Sequence, residues 1–236
     1  MADTCLGLLD DEDVLAGDLQ FAEPASTDLT SSGESSVSTT RSSRYMLWID
    51  GVGAWQVCAG QEFVIGAPSQ LHPSADIALL ANISRKHATV SHHGTDWLLD
   101  AQQGTTVGEE PATQKTVLRS GDQICLGERV KLGFRLPSVL SSSAVIDFES
   151  DHRPSHSVDG IILLVDQCLL GPRQDHHVRC SAWPDFLVLF FQDGQLLCRS
   201  RMALQVDGAA VNGVARLQHG SIVTGDEFRF RVEQME

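Results

Sequence analysis

The chain has 236 residues, of which 42% are hydrophobic, and its 31 acidic and 17 basic side chains give a formal net charge of −14. This length and apolar content can bury one large core or two cores of about a hundred residues each. The charge argues against nucleic acid or anionic membrane as the main partner, because both reward clustered lysine and arginine. No apolar run approaches the roughly 18 residues of a membrane helix, and no basic region precedes the first apolar patch. We therefore predict a cytoplasmic protein.

The first 43 residues differ in composition from the rest of the chain. They hold nine Asp or Glu residues and one basic residue, Arg41, and they end in a run rich in serine and threonine. Such a stretch cannot bury enough apolar surface to offset the entropy of ordering it. We predict a disordered acidic tail over residues 1–43.

The cysteines give no sign of a metal site or of a disulfide framework. They form no CxxC pair and no zinc-like spacing, and they are Cys5, Cys58, Cys125, Cys168, Cys180 and Cys198. This pattern is typical of buried thiols in a reducing compartment. The adjacent histidines at 92–93 and 176–177 would point to opposite faces of an extended chain. We expect neither a metal nor a cofactor.

From Arg44 onward the sequence has the texture of an all-β fold. Short runs of β-branched and aromatic residues are separated by Gly, Asp-Gly and Ser-Gly at close spacing, which is typical of strands and hairpins. The runs include YMLWID, EFVIG, HATVSHHGTDWLLD, KTVLRSGDQICLG and VKLGFRL. No stretch favours a helix of useful length. We assign residues 44–137 to a first block.

A second block, residues 144–236, repeats this pattern after a predicted linker at 138–143. Gly66 corresponds to Gly171 at an offset of 105, and Gly121 corresponds to Gly220 at an offset of 99. Internal repetition of this kind predicts two similar structural units. The Asp193-Gly194 pair predicts a two-residue hairpin turn, because both central positions of a type I′ turn need positive φ.

The sequence SRKH at residues 84–87 stands at the entrance of a strand-like run. A nucleophile with its base, a metal ligand set and an anion-binding loop could all have this local sequence. A nucleophile needs an orienting acid and oxyanion donors, and a spacing of three at a strand start does not align Ser84 with His87. We therefore predict a non-catalytic protein and favour the anion-binding loop.

The order of motifs in the first block resembles that of a forkhead-associated (FHA) domain. The family pattern is Gly-Arg at the end of a strand, then Ser-x-x-His, then Asn-Gly-Thr, then a Gly-Asp hairpin. The matching residues are Gly66-Ala67, Ser84 to His87, Gln103-Gly104-Thr105 and Gly121-Asp122. The resemblance covers roughly residues 44–137 and implies a β-sandwich with binding residues on loops at one end.

The resemblance also implies recognition of phosphothreonine peptides. A phosphate dianion wants hydroxyl, ammonium, guanidinium and backbone N–H donors that converge from several loops. The residues that the resemblance assigns to peptide binding are Ser84, Arg85, Lys86, Gln103, Gly104 and Thr105. It gives Gly66 and His87 structural roles at the site.

Two residues depart from the family pattern. Ala67 replaces the arginine that supplies the usual principal cation, and Gln103 replaces an asparagine that is one methylene shorter. A charge-assisted hydrogen bond contributes about 1.5 to 3 kcal/mol, so its loss weakens binding roughly ten- to a hundredfold. Arg85 is the candidate to take over part of this role.

The second block lacks the binding motifs. It reads SAWPDFLVLFF where Ser-x-x-His should stand, and no Asn-Gly-Thr follows. We therefore predict two tandem FHA-like β-sandwiches, the second degenerate. The predicted function is a phosphothreonine-peptide-binding adaptor in Ser/Thr kinase signalling, with a kinase or its substrates as partners. The alternative is a structural scaffold whose FHA-like domains bind partners independently of phosphorylation.

Overall fold

The computed structural model describes residues 42–69, 75–112 and 114–235. Every helix or strand assigned within these ranges is a β-strand, which confirms the predicted all-β class. The predicted tail lies outside the described residues except for Ser42 and Ser43. In the same ranges, no helix has the length and apolar character to cross a membrane.

The described residues form eleven strands before residue 136 and eleven after residue 143. The first eleven are β1 (Ser43–Ile49), β2 (Gly53–Ala59), β3 (Glu62–Gly66), β4 (Ile77–Ala78), β5 (Ala88–His93), β6 (Asp96–Ala101), β7 (Thr105–Val107), β8 (Glu110–Pro111), β9 (Thr116–Leu118), β10 (Gln123–Leu126) and β11 (Val130–Arg135). The others are β12 (Ala144–Phe148), β13 (Gly160–Leu164), β14 (Gln167–Gly171), β15 (Val178–Arg179), β16 (Leu187–Gln192), β17 (Gln195–Ser200), β18 (Leu204–Val206), β19 (Ala209–Val211), β20 (Val214–Leu217), β21 (Ile222–Thr224) and β22 (Arg229–Met235).

These strands form one large sheet and two small ones. The large sheet has twelve strands in the order β19-β18-β21-β22-β1-β2-β13-β12-β11-β10-β7-β8. The small sheets have five strands each, in the orders β4-β3-β5-β6-β9 and β15-β14-β16-β17-β20. Each small sheet covers one end of the large sheet, and the two cover opposite faces. Neighbouring β1 residues show this, because Met46 belongs to one core whereas Tyr45 and Leu47 belong to the other.

The first sandwich lies between β4-β3-β5-β6-β9 and the β13-to-β8 end of the large sheet. Its core is apolar and aromatic: the Trp97 ring lies 6.0 Å from that of Phe63 and 5.7 Å from that of Phe134. The second sandwich lies between β15-β14-β16-β17-β20 and the β19-to-β2 end. There the Trp183 ring packs 4.8 Å from that of Phe228.

Each sandwich takes one hairpin from the other block. The β1-β2 hairpin pairs with β22 and contributes Tyr45, Leu47 and Val57 to the second core. The β12-β13 hairpin pairs with β11 and contributes Ile146 and Ile161 to the first core. The block boundaries derived from the sequence stay a prediction, and the strand pairing crosses them.

Parallel pairing of β2 with β13 joins the two halves of the large sheet. The register runs from Trp55 opposite Gly160 to Ala59 opposite Leu164. Successive β13 residues alternate between the two cores, and all five are buried. Strands buried on both faces read as continuous apolar runs, which explains the GIILL sequence of β13.

The predicted linker is anchored on both sides. The Ser142 carbonyl accepts a hydrogen bond from Trp97 Nε1 at 3.0 Å, and the Asp166 carboxylate accepts from Ser142 N and from Ser143 Oγ, both at 2.9 Å. Val139 and Leu140 remain at the surface, with exposures of 103% and 73%. The segment therefore belongs to the folded body and has one exposed tip.

The turn after β16 has the predicted geometry. Asp193 and Gly194 have φ values of 50° and 75°, and Gln192 pairs directly with Gln195. A type I′ turn needs positive φ at both central positions, and glycine adopts positive φ without steric cost. The prediction for Asp193-Gly194 is confirmed.

Buried thiols fill gaps in both cores. Burial raises the pKa of Cys58, Cys180 and Cys198 to about 12. Because only the thiolate is nucleophilic, thiols in this state are chemically inert. These cysteines act as small apolar residues in the folded protein.

The pairing of β1 with β22, by which each sandwich takes a hairpin from the other block, predicts that a disulfide can join the two blocks. We call this arrangement the hairpin exchange. We expect that a protease site inserted between Val139 and Leu140, combined with Trp48→Cys and Arg231→Cys, gives cleaved halves joined by a disulfide. Positions 48 and 231 are directly paired across β1 and β22, and cross-strand Cα atoms about 4.5 to 5.5 Å apart allow a disulfide. Denaturing gels with and without reductant measure the link. Halves that separate without reductant would contradict the exchange.

The buried His177 predicts a pH dependence of stability. Its Nδ1 accepts from Leu169 N at 3.1 Å and its Nε2 lies 3.2 Å from the Ser143 carbonyl oxygen. Burial lowers its pKa to about 4, so the folded protein keeps the ring neutral. The stability that the neutral His177 ring gives to the folded protein is fully present above the unfolded pKa of about 6.5. It is lost as the pH falls towards 4, which changes the free energy of unfolding by roughly 3 kcal/mol.

The measurement is the free energy of unfolding between pH 6.5 and 4.5. His177→Gln serves as the control, because an amide can accept and donate in the same positions without titrating. We expect the variant to lose less stability than the wild type over this interval. Equal losses would show that His177 is not responsible.

Candidate functional site

The candidate site lies on loops at one end of the first sandwich. Three of them follow β3, β4 and β6, and the β4-β5 loop carries the SRKH sequence. The turn after β10 reaches the same end, since a Cβ on Gly127 would lie 3.9 Å from Ile83 Cγ2. These loops come from both sheets of a rigid sandwich, which is where binding residues commonly lie.

Gly66 allows the end of β3 to pack directly against the β4-β5 loop. A Cβ at this position would lie 2.0 Å from the Arg85 carbonyl oxygen and 2.4 Å from the Arg85 carbonyl carbon. Both are backbone atoms that cannot move aside. Ala67 N donates to the Ser84 carbonyl at 3.0 Å. Because only glycine fits here, the backbone of Ser84 and Arg85 is held in one position.

His87 links two of the loops from below. Its side chain is buried, its Nδ1 accepts from Ser84 N at 3.3 Å, and its Nε2 lies 3.2 Å from Thr105 Oγ1. Since Nδ1 must accept from a backbone N–H, Nε2 carries the proton and donates to Thr105. Burial lowers the pKa of His87, which favours this neutral form. His87 therefore joins the Ser84 backbone to Thr105 within the fold.

Gln102 is a site residue that the sequence analysis missed. Its Nε2 donates to the Lys86 carbonyl at 2.7 Å, and its backbone N donates to the His87 carbonyl at 2.9 Å. The β6-β7 loop is thereby fixed to the β4-β5 loop. Gln102 and Gln103 are adjacent amides in the sequence, and no local signal shows which of them bonds to the β4-β5 loop.

The donors at the tip of the site are unengaged. Ser84, Arg85, Lys86 and Gln103 are exposed, and none of these side chains makes a hydrogen bond or ion pair to any other residue in the described ranges. Gly104 follows with φ of 84°, in the region that favours glycine. The β4-β5 loop thus presents a hydroxyl and two cations, and the β6-β7 loop beside it presents an amide.

Thr105 is buried beneath the exposed end of the loops. Its side chain is 2% exposed, and its hydroxyl is the partner of His87 Nε2. Its carbonyl accepts from Ala112 N at 2.9 Å. Thr105 therefore supports the loops, whereas the resemblance assigned its hydroxyl to the ligand.

Ala67 stands beside the site at the start of the β3-β4 loop. It is half-buried, and the loop continues through Pro68 and Ser69. The alanine brings no charge to the position where the family carries arginine. Arg85 and Lys86 are the cations that this arrangement keeps next to Ser84.

The corresponding end of the second sandwich is closed by aromatic side chains. The pairing of Leu187 with Leu170 in the second sandwich corresponds to that of Ala88 with Ile65 in the first. Counting back along the chain from Leu187 and Ala88, Trp183 takes the position of Ser84. Asp185 likewise takes the position of Lys86. Trp183 is buried against Phe228. A buried indole and a carboxylate replace a free hydroxyl and a cation, and this end offers no anion-binding loop.

The described residues show neither a hydrogen bond between the Ser84 hydroxyl and His87 nor a cluster of metal ligands at this end. His87 contacts the backbone of Ser84, and among the described atoms no hydrogen bond joins its ring to the Ser84 hydroxyl. The described residues also contain no group of three or more His, Cys, Asp or Glu side chains that could hold a metal ion. Loop donors aimed at solvent therefore define the site.

The fold and site define a β-sandwich interaction module with a polar, cationic loop end. Residues 63–127 match the family model of the FHA domain. This segment, which includes the β4-β5 and β6-β7 loops, is therefore similar to the FHA domain, a family of protein-interaction modules.

The comparison with solved structures also finds a likeness. The structure is similar to the N-terminal FHA domain of EssC, a component of the bacterial Type VII secretion apparatus, at 10% identity and a TM-score of 0.23. The alignment covers 82% of this chain and 93% of that chain. No curated protein matches the chain.

Proposed function

We propose that the β4-β5 and β6-β7 loops bind phosphothreonine peptides. The observation that carries this proposal is the set of unengaged donors, Ser84, Arg85 and Lys86, on a backbone fixed by Gly66 and His87. A preorganised anion site gains affinity because little ordering remains to be done on binding. In this proposal the Gln103 amide holds the main chain of the peptide.

The site acts by binding, in a non-catalytic adaptor with a cytoplasmic location. Its partners are phosphothreonine-containing proteins, such as a Ser/Thr kinase or the substrates of one. Charge-assisted bonds to the three phosphate oxygens supply the affinity.

A second candidate function rests on Ala67. Without the family arginine, the two blocks could serve as a scaffold that binds partners independently of phosphorylation. Phosphatase treatment of the partner separates the two functions, because it abolishes capture by a phosphate reader and leaves capture by a scaffold unchanged.

Ser84→Ala tests the proposed function directly. We expect the full chain to lose phosphothreonine-peptide affinity at least tenfold, because a hydrogen bond to a charged group contributes about 1.5 to 3 kcal/mol. Stability should change by less than about 0.5 kcal/mol, since the hydroxyl is exposed. Isothermal titration with the phosphorylated peptide and its unphosphorylated form gives the affinity.

Ser181→Ala is the matched control. Ser181 is exposed on the corresponding loop of the second sandwich, next to the buried Trp183. We expect this variant to bind as the wild type does. Undiminished binding by Ser84→Ala would remove Ser84 from the site.

Ala67→Arg should tighten binding. A cation at this position adds one charge-assisted contact, so we expect a gain of roughly tenfold and a steeper decline of affinity with salt. Thr95→Arg is the control, because it adds the same charge in the β5-β6 turn, at the opposite end of β5. If both variants gain equally, the effect is one of net charge and not of a phosphate contact.

A further inference from the structure

The outer surface of the second small sheet is apolar and cationic. Side chains alternate across a strand, and Leu187, Leu189, Leu196 and Cys198 point into the second core. Their neighbours point outward. We name as the arginine face the outward residues Phe190, Leu197, Arg199, Val214 and Arg216. Leu169 and Val188 also point away from the second core, but each is only 7% exposed.

The charge of this face is unusual for such an acidic chain. Arg199 lies 5.6 Å above the Phe190 ring and 3.4 Å from Gln167 Oε1. Arg216 is exposed one strand away, on β20. None of the outward positions of β14, β16, β17 and β20, all of which the structure describes, holds Asp or Glu. Val214 is 54% exposed, so the apolar part reaches solvent.

The outer surface of the first small sheet has the opposite character. We name as the carboxylate face its outward residues Glu62, Val64, Thr89, Ser91, Asp96, Leu98, Asp100 and Val117. A depression of about 340 Å³ on this face is lined in part by Thr89, Ser91 and Leu98. Three carboxylates lie here, and two lysines, Lys86 and Lys115, line the edge of the same depression.

The two faces differ position by position. The strand registers make Phe190 the counterpart of Ser91, since these residues pair with Leu197 and Leu98 respectively. Arg199 is likewise the counterpart of Asp100, since these pair with Val188 and Thr89. One face therefore carries an aromatic ring and a cation where the other carries a small hydroxyl and a carboxylate.

We propose that the arginine face of one copy of this chain packs on the carboxylate face of a second copy. Phe190 fills the depression beside Ser91, and Arg199 and Arg216 lie against the carboxylates of the partner copy. Opposite charges on the two faces select this pairing and disfavour the pairing of either face with itself. Sheets that pack face to face in this way are a common architecture.

The contact is head-to-tail, so an assembly keeps one unused arginine face at one end and one unused carboxylate face at the other. Four strands of about six residues cover about 400 Å² per copy, half of the roughly 800 Å² of a standard interface. We therefore expect weak, concentration-dependent association in the micromolar to millimolar range, which salt weakens.

The first experiment measures mass against concentration by sedimentation velocity of the full chain. The wild type should exceed monomer mass as concentration rises, whereas Phe190→Asp and Ser91→Trp should each weaken association at least tenfold. Arg231→Glu is the control on an exposed strand outside both faces and should associate as the wild type does. A wild type that stays monomeric up to millimolar concentration overturns the proposal and leaves the arginine face to a different partner.

Mixing the two face variants tests the head-to-tail geometry. The intact carboxylate face of Phe190→Asp can pair only with the intact arginine face of Ser91→Trp, so the mixture should stop at a dimer. If either variant fails to fold by circular dichroism, Arg199→Glu and Asp100→Lys replace them. Each should weaken association, and the two combined in one chain should restore it. A mixture or a double variant that stays monomeric overturns the proposal.

Discussion

The parallel pairing of β2 with β13 is the constraint on which the rest of the structure depends. A Cβ on Gly160 would lie 2.4 Å from the Trp55 ring, so glycine is required where this pairing begins. At its other end, Gly60 N donates to the Leu164 carbonyl at 3.1 Å. Because both strands are covered on both sides, the junction leaves no gap between the two cores. One continuous sheet results, with a small sheet packed on each of its faces.

The binding loops inherit their rigidity from this frame. The strands β3, β5 and β6 are held by the first core, and their loops are then tied to one another by Gly66, His87 and Gln102. The second sandwich uses the same strand order but closes its loop end with Trp183. A common scaffold thus carries a polar end in one place and an apolar end in another, and the loop residues decide which.

The sequence predicted the strands well because their signals are local. Alternating apolar residues, Gly-containing turns and the Asp193-Gly194 hairpin depend only on nearby residues. The exchange of hairpins was not predictable, since β1 finds the same alternating pattern in β11 and in β22. At the site, the SRKH motif located the loop, but the depth of Thr105 and the role of Gln102 depend on contacts between loops. Such contacts leave no mark in a single sequence.

The exchanged hairpins also bear on how such a gene can change. A chain that lost residues 144–236 would lose β12 and β13, which complete the sheet of the first sandwich. Selection for the binding loops therefore also preserves the second half, whose own loop end lacks those donors. Its strands complete the frame, while its outward residues take no part in either core and can differ from those of the first small sheet. The unequal surfaces of the two small sheets are a result that this freedom permits.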